Sequence, residues 1–145
     1  MSFFVKYLEG RTFIVKTPEQ TSRVESINAG VPQGSILGPL LFNIYVNDLP
    51  LAVTSSNIVM YADDTTLITS SSLPDNLQVK MAGDLERVEK WFSNNKLKLN
   101  TDKTEYILIV NNRRRQLFQD VKIGVGGKSL IEKSSTKILG SHHQQ

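Results

Sequence analysis

Between Asn28 and Val79 the chain carries no lysine or arginine, yet four aspartates fall there, two of them adjacent at Asp63 and Asp64. The pair sits between two apolar, β-prone runs, Asn57-Ile58-Val59-Met60 and Thr65-Thr66-Leu67-Ile68. That pattern predicts strand, tight turn, strand, with both acids at the tip. Side-by-side carboxylates repel unless a positive group sits on them or water screens them. No ammonium or guanidinium is close in sequence, so a divalent cation is the natural partner, and an all-oxygen ligand set suits Mg²⁺ or Mn²⁺. A bare Asp-Asp pair also occurs as a solvated turn. The neighbouring segments decide between the two.

Ahead of the hairpin, Tyr7 to Ile27 reads as an earlier hairpin, with Thr12 to Val15 and Ser22 to Ile27 as strands around Pro18-Glu19-Gln20. Ala29 to Ser35 is a Gly- and Pro-rich loop, and Ser35 is placed to cap the helix that follows. Leu37, Leu40, Leu41, Ile44, Tyr45 and Leu49 recur at helical spacing, and Asp48-Leu49-Pro50 closes that segment. Beyond the hairpin, Ser72 to Asp75 predicts a capping box. It opens a helix whose apolar stripe is Leu77, Met81, Leu85, Val88 and Trp91 or Phe92, with Asn94-Asn95 as its stop. Glu105 to Val110, Gln119 to Gly124 and Lys128 to Ile131 read as strands, and Asn111 to Gln116 as a polar turn. Helices interleaved with mostly antiparallel strands make an α+β chain. At 145 residues one domain is the default.

Charge is distributed unevenly. The net values are +1 over residues 1–27, −4 over 28–79 and +6 over 80–145. An acidic centre beside a basic distal region fits a metal site next to a polyanion-binding surface, although a basic half is often merely solvated. There is no cysteine, which excludes a disulfide scaffold, a zinc-thiolate site and a thiol nucleophile. No apolar stretch is long enough to span a bilayer.

The order of the pieces resembles the palm of a reverse transcriptase, an RNA-directed DNA polymerase, of the non-LTR retrotransposon kind (jockey or LINE type). Gly30-Val31-Pro32-Gln33-Gly34-Ser35-Ile36-Leu37-Gly38-Pro39-Leu40-Leu41-Phe42 resembles that family's motif B, and Tyr45 to Pro50 continues it. Tyr61-Ala62-Asp63-Asp64-Thr65 resembles motif C, the catalytic hairpin. Trp91-Phe92, Asn95 to Asn100 and Lys103-Thr104 resemble motif D, and Lys137-Ile138-Leu139-Gly140 resembles motif E, the primer grip. The likeness implies a partial polymerase palm, an antiparallel sheet with two packed helices. Its parts are a leading hairpin (1–27), the motif B helix with the acidic hairpin (28–70), a distal helix with strands (71–140) and an atypical tail (141–145). In the family, motif A with a further metal-binding aspartate lies upstream, and fingers and thumb flank the palm. The sequence here reads as starting after motif A.

By resemblance, Asp63 is the main ligand of Mg²⁺ or Mn²⁺ and Asp64 an accessory one. Pro32, Gln33, Gly34, Tyr61 and Ala62 line the nucleotide and template pocket. Lys103 neutralises or protonates the leaving pyrophosphate, against the plain alternative of a turn lysine paired with Asp102 or Glu105. Lys137, Leu139 and Gly140 face the primer. Arg113, Arg114 and Arg115 are candidates for nucleic-acid backbone contacts, each adding salt dependence, or form a charged turn. The implied partners are an RNA template, a DNA primer and deoxynucleoside triphosphates, with no membrane. The family implies an intracellular setting, nucleus or cytoplasm. The expected reaction is two-metal nucleotidyl transfer in an intact parent, with little or no polymerisation by this chain alone. Two alternatives stand beside it: a non-catalytic nucleic-acid-binding remnant of a retrotransposon, and a translated fragment without function.

Overall fold

The structure, a computed structural model, describes residues 2–32, 34–138 and 141–144. Gln33, Leu139 and Gly140, expected at the nucleotide pocket and the primer grip, lie outside the described residues. The backbone divides into two units, residues 1–45 and 46–145.

The first unit opens with α1 (Ser2–Leu8), which takes Tyr7 and Leu8 out of the expected hairpin, and then a shorter hairpin than expected, in which β1 (Thr12–Phe13) pairs antiparallel with β2 (Glu25–Ser26). Lys16 and Thr21 form a further bridge toward its turn. Arg11 ties the unit together. Its Nε donates to the Leu8 carbonyl at 2.8 Å and its Nη2 to the Gly30 carbonyl at 2.6 Å, joining the end of α1 to the following loop. That loop runs into α2 (Leu37–Val46). As expected, Ser35 caps the start, accepting the Gly38 N–H on its Oγ at 3.0 Å. Gly38 is a glycine for steric reasons. A Cβ there would lie 3.0 Å from Ser35 Oγ and 3.4 Å from the Pro32 carbonyl, so a side chain would require the capping hydroxyl or the loop to give by a few tenths of an ångström.

In the second unit a 3₁₀ turn, Leu49–Ala52, follows with Pro50 in its first turn. β3 (Asn57–Tyr61) and β4 (Asp64–Ile68) then form the predicted acidic hairpin, five paired residues on each side. Ile58 faces Leu67 across the ladder, and Leu67 packs on the core. The long helix α3 (Pro74–Asn94) supplies most of the rest. Its stripe is the expected one: Leu77, Leu85, Val88 and Trp91 are buried and Met81 packs against the core. Leu77 and Leu85 meet Leu108, Phe118, Val121, Ile123 and Val125 from the distal segments. Cutting any of these leucines to alanine should cost roughly 2–5 kcal/mol.

The two ends of α3 differ from each other in how well they were foreseen. The capping box does not form: the N-cap is Leu73, with Pro74 at the first helical position and no side-chain cap. Proline fixes that position and needs no N–H partner there, so it sets the start in place of Ser72 and Asp75. The C-terminus stops at Asn95 as expected. It closes with Leu97 N–H on the Phe92 carbonyl at 2.9 Å and Lys96 N–H on Ser93 at 3.1 Å, with Lys96 at φ 53° where glycine is usual.

The distal strands are short. β5 (Glu105–Tyr106) runs parallel to β8 (Ile131–Glu132), and β6 (Gly124–Val125) makes a hairpin with β7 (Lys128–Ser129) around Gly126-Gly127. The run expected as a strand to Val110 leaves the ladder after Tyr106. Arg115 Nη1 donates to the Leu108 carbonyl at 2.9 Å, so a side chain takes that acceptor. Asn111 to Gln116 is a 3₁₀ helix, Asn112–Phe118, rather than an open turn, with Asn111 accepting from Arg113 N–H at 3.0 Å. β9 (Ser135–Ile138) pairs antiparallel with β10 (Ser141–Gln144), so the tail expected to be atypical folds back on the segment before it. The class is α+β. The strands form separate two-stranded ladders among the described residues, four antiparallel and one parallel, where one antiparallel sheet was expected.

Candidate active site

The acidic hairpin turns on two residues. Tyr61 pairs with Asp64 across the last rung, leaving Ala62 and Asp63 as the turn. Ala62 lies at φ 52°, in the left-handed region that residues with a Cβ seldom occupy. Asp63 is therefore at the tip and Asp64 is the first residue of β4, one step off the turn. Both are exposed, as is Tyr61 at 66%. No ion pair or hydrogen bond engages either carboxylate among the described residues. The site thus holds two adjacent exposed carboxyl groups, one on a narrow turn and one on the rung beside it, without a protein cation on them among the described residues.

In chemistry this donor set fits a hard divalent cation, because both groups offer carboxylate oxygens and no protein cation competes among the described residues. In number it falls short. Among the described residues no group of three or more Asp, Glu, His or Cys is gathered to hold a metal ion.

Lys103 is exposed in the turn before β5. The two acids expected as its plain partners are engaged by other lysines. Asp102 pairs with Lys128, and Glu105 Oε2 lies 4.0 Å from Lys133 Nζ. The Lys128 ammonium holds the Asp102 carboxyl below the usual carboxylate range, first through the hydrogen bond and then through its charge.

The three arginines separate by role. Arg115 bonds the Leu108 carbonyl and, through Nη2 at 2.6 Å, Glu132. Arg114 reaches the Ser72 carbonyl at 2.5 Å and stacks over the Phe118 ring. Arg113 donates its backbone N–H to Asn111. Two of the three are thus internal ties, and the Arg113 side chain has no hydrogen-bond or ion-pair partner among the described residues. Lys137 lies in β9, with its backbone opposite His142.

Pro32 and Gly34 belong to the first unit. Pro32 lines a groove of about 510 Å³ with Arg11, Thr12, Ile27 and Val31. Gly34 is at φ 75° with open space where a side chain would be. Tyr61, Ala62, Asp63, Asp64 and Lys103 belong to the second unit.

One acid of consequence was not foreseen. Asp84, on the buried side of α3, is fully covered. It accepts the Thr54 N–H at 2.9 Å and the Ser55 N–H at 3.1 Å, and it pairs with Arg87. Burial by itself would raise its pKa. The hydrogen bonds from Ser56, Thr54, Arg87 and Ser55 together outweigh that and hold the carboxyl well below its ordinary range. The signal was present in sequence. Position 84 falls on the helical stripe of Leu77, Met81 and Val88, and a charge on an apolar stripe with an arginine three residues on marks a buried, paired acid.

Residues 3–143 match the family of reverse transcriptases (RNA-dependent DNA polymerases). The chain is 33% identical over 112 residues to the RNA-directed DNA polymerase from mobile element jockey of Drosophila melanogaster, covering 72% of this chain and 12% of that protein. It is 34% identical over 105 residues to the probable RNA-directed DNA polymerase from transposon BS of the same organism, covering 68% of this chain and 12% of that protein. A polyprotein from a type-1 retrotransposable element R1 of Bradysia coprophila is 27% identical across 92% of the chain, again over 12% of its own length. No solved structure matches the chain. The chain spans about an eighth of these relatives, and it belongs to the reverse transcriptase family.

Proposed function

We propose that the chain is part of the palm of a mobile-element reverse transcriptase, with Asp63 and Asp64 as its contribution to the metal site of RNA-directed DNA synthesis. The observation that carries this is the exposed Asp63-Asp64 pair, one at the hairpin turn and one on the rung beside it, whose carboxylates have no protein partner among the described residues, in a chain of this family. Divalent cations supply activation of the primer hydroxyl and charge neutralisation on the leaving pyrophosphate. The chain's own part is to present two carboxylates where such an ion binds. Tyr61 and Ala62 lie beneath the primer terminus. Pro32, Gln33 and Gly34 border the nucleotide and template, where the open space beside Gly34 lets a base pair approach the backbone. Lys103, with neighbouring acids engaged elsewhere, is free to neutralise the pyrophosphate. Lys137, Leu139 and Gly140 contact the primer, and Arg113 is the member of the arginine run suited to a phosphate.

Two carboxylates hold Mg²⁺ weakly, since the ion keeps its waters and leans on substrate phosphates. We therefore expect weak binding and little or no polymerisation by the 145-residue chain. The test is primer extension on an RNA template with Mg²⁺ or Mn²⁺, beside Mn²⁺ binding followed by line broadening of the hairpin amides. Broadening centred on Asp63 and Asp64, and absent in Asp63→Ala, supports the reading. Salt-sensitive nucleic-acid binding that ignores both chelator and Asp63→Ala, with no broadening at the tip, favours a non-catalytic binding remnant instead.

A further inference from the structure

The contacts at the far end of the acidic hairpin form a closed ring. Asp84 takes the N–H groups of Thr54 at 2.9 Å and Ser55 at 3.1 Å, two successive residues on the way into β3. Arg87, one turn along α3, pairs with Asp84 and also donates to Thr54 Oγ1 at 2.6 Å and to the Ala52 carbonyl at 3.1 Å. The entry segment is thus held at three residues by a single turn of helix. The exit is joined to the entry by hydroxyls: Ser56, just before β3, bonds Thr69, just after β4, and Thr69 also reaches the Ser55 carbonyl at 3.4 Å. Beyond that, Lys80 Nζ from α3 lies 3.4 Å from the Ser70 carbonyl. All of these groups are at the base. None touches the turn that carries Asp63 and Asp64.

A ladder of five residues is roughly 16 Å long. If its base tilted by about 10°, the tip would travel roughly 3 Å, whereas a metal or catalytic constellation tolerates about 0.5 Å. An isolated two-stranded hairpin is marginal in water, so the direction of this one is set by what holds it, Leu67 against the core and the grip on its base. We propose that Asp84 and Arg87 are positioning residues, a clamp on residues 52–56 that aims the β3–β4 hairpin and so sets where Asp63 and Asp64 are held. The consequence for chemistry rests on the reading of Asp63 and Asp64 as a metal pair; the clamp itself does not.

The chain has no cysteine, so two spin labels can be placed cleanly at Thr65→Cys on the hairpin and Lys90→Cys on the exposed side of α3. Pulsed electron spin resonance on the full chain then reads the distance distribution between hairpin and helix. We expect one narrow distribution, widened at least about twofold by Asp84→Asn and less by Arg87→Lys, at a temperature where circular dichroism reports both variants folded. A role in stability alone lowers the melting temperature and leaves the width unchanged below it. An unchanged width in folded Asp84→Asn overturns the proposal. If that variant does not fold, Arg87→Met, which keeps the amide bonds to Asp84, takes its place under the same criterion. Mn²⁺ titration of the chain separates the two readings. No Mn²⁺ binding together with a width that depends on Asp84 overturns the metal reading and supports the clamp. Mn²⁺ binding with a width indifferent to Asp84 does the reverse.

Discussion

Three aspartates serve one hairpin in opposite ways. Asp63 and Asp64 stand at its turn, exposed and without a protein partner among the described residues, whereas Asp84 lies beneath its base with no exposed surface and four donors on its carboxylate. The base consumes its charge internally. A carboxylate whose acceptor sites are filled by amides, a hydroxyl and a guanidinium has no capacity left for a ligand and acts as a fastener. The tip keeps its charge unspent, which costs mutual repulsion and leaves both groups open to a cation. Internally fastened charge and open charge are thus separated along one short ladder.

If that separation is right, the largest effect on folding comes from the base. Asp84→Ala strands the Thr54 and Ser55 amides and leaves Arg87 without its acid. We expect a loss of about 3 kcal/mol, read from urea or thermal unfolding. A cost below about 1 kcal/mol would break the comparison, because the buried acid would then be no more than another surface group.

Acid provides the next test. Asp84 has a folded-state pKa held below its ordinary value of about 3.9. Its contribution is therefore complete above that value and drains away as pH falls below it, at up to about 1.4 kcal/mol per pH unit. Unfolding free energy followed from pH 6 downward should begin this decline near pH 4 in the wild-type chain and show a shallower one in Asp84→Asn. Asp102, lowered in the same direction by Lys128 but fully exposed, adds a part that salt screens out. Repeating the titration in 0.5 M salt therefore isolates the buried acid.

What the sequence made legible follows the same division. The hairpin could be read because two apolar, β-prone runs on either side of a short acidic turn agree locally, and its strands fall within a residue of expectation. The stripe of α3 could be read because 3.6-residue periodicity is a local property too. Features that depend on partners far along the chain could not. Glu105 to Val110 has strand composition, but its ladder, to Ile131–Glu132, takes in Glu105 and Tyr106, and further on Arg115 bonds the Leu108 carbonyl. Arg114 and Arg115 look like a basic turn until Ser72, Phe118 and Glu132 are seen beside them. At the tip the hairpin was legible, with its turn on Ala62-Asp63 where both acids were expected, whereas the grip on its base spans about thirty residues, from Thr54 to Asp84.

A smaller effect sharpens the picture at the tip. Ala62 sits at φ 52°, where a Cβ costs roughly 1–2 kcal/mol and glycine costs nothing sterically. Glycine gives back roughly 0.5–1 kcal/mol through the greater freedom of the unfolded chain. Ala62→Gly should therefore stabilise the chain by about 0.5 kcal/mol in denaturant unfolding. A clear destabilisation would mean that the alanine methyl makes contacts that outweigh the backbone strain.

The smallest effect on folding is expected at Asp63 itself. The side chain has no partner to lose among the described residues, and removing it relieves repulsion with Asp64, so Asp63→Ala should change stability by less than about 0.5 kcal/mol, in either direction. The same substitution should abolish Mn²⁺ broadening of the hairpin amides, because one remaining carboxylate is a poorer ligand than two. The pairing of these results carries the argument. A residue that matters to binding and not to folding has its charge held for something outside the chain, whereas a loss of stability comparable to that of Asp84→Ala would show that the tip, too, is fastened from within.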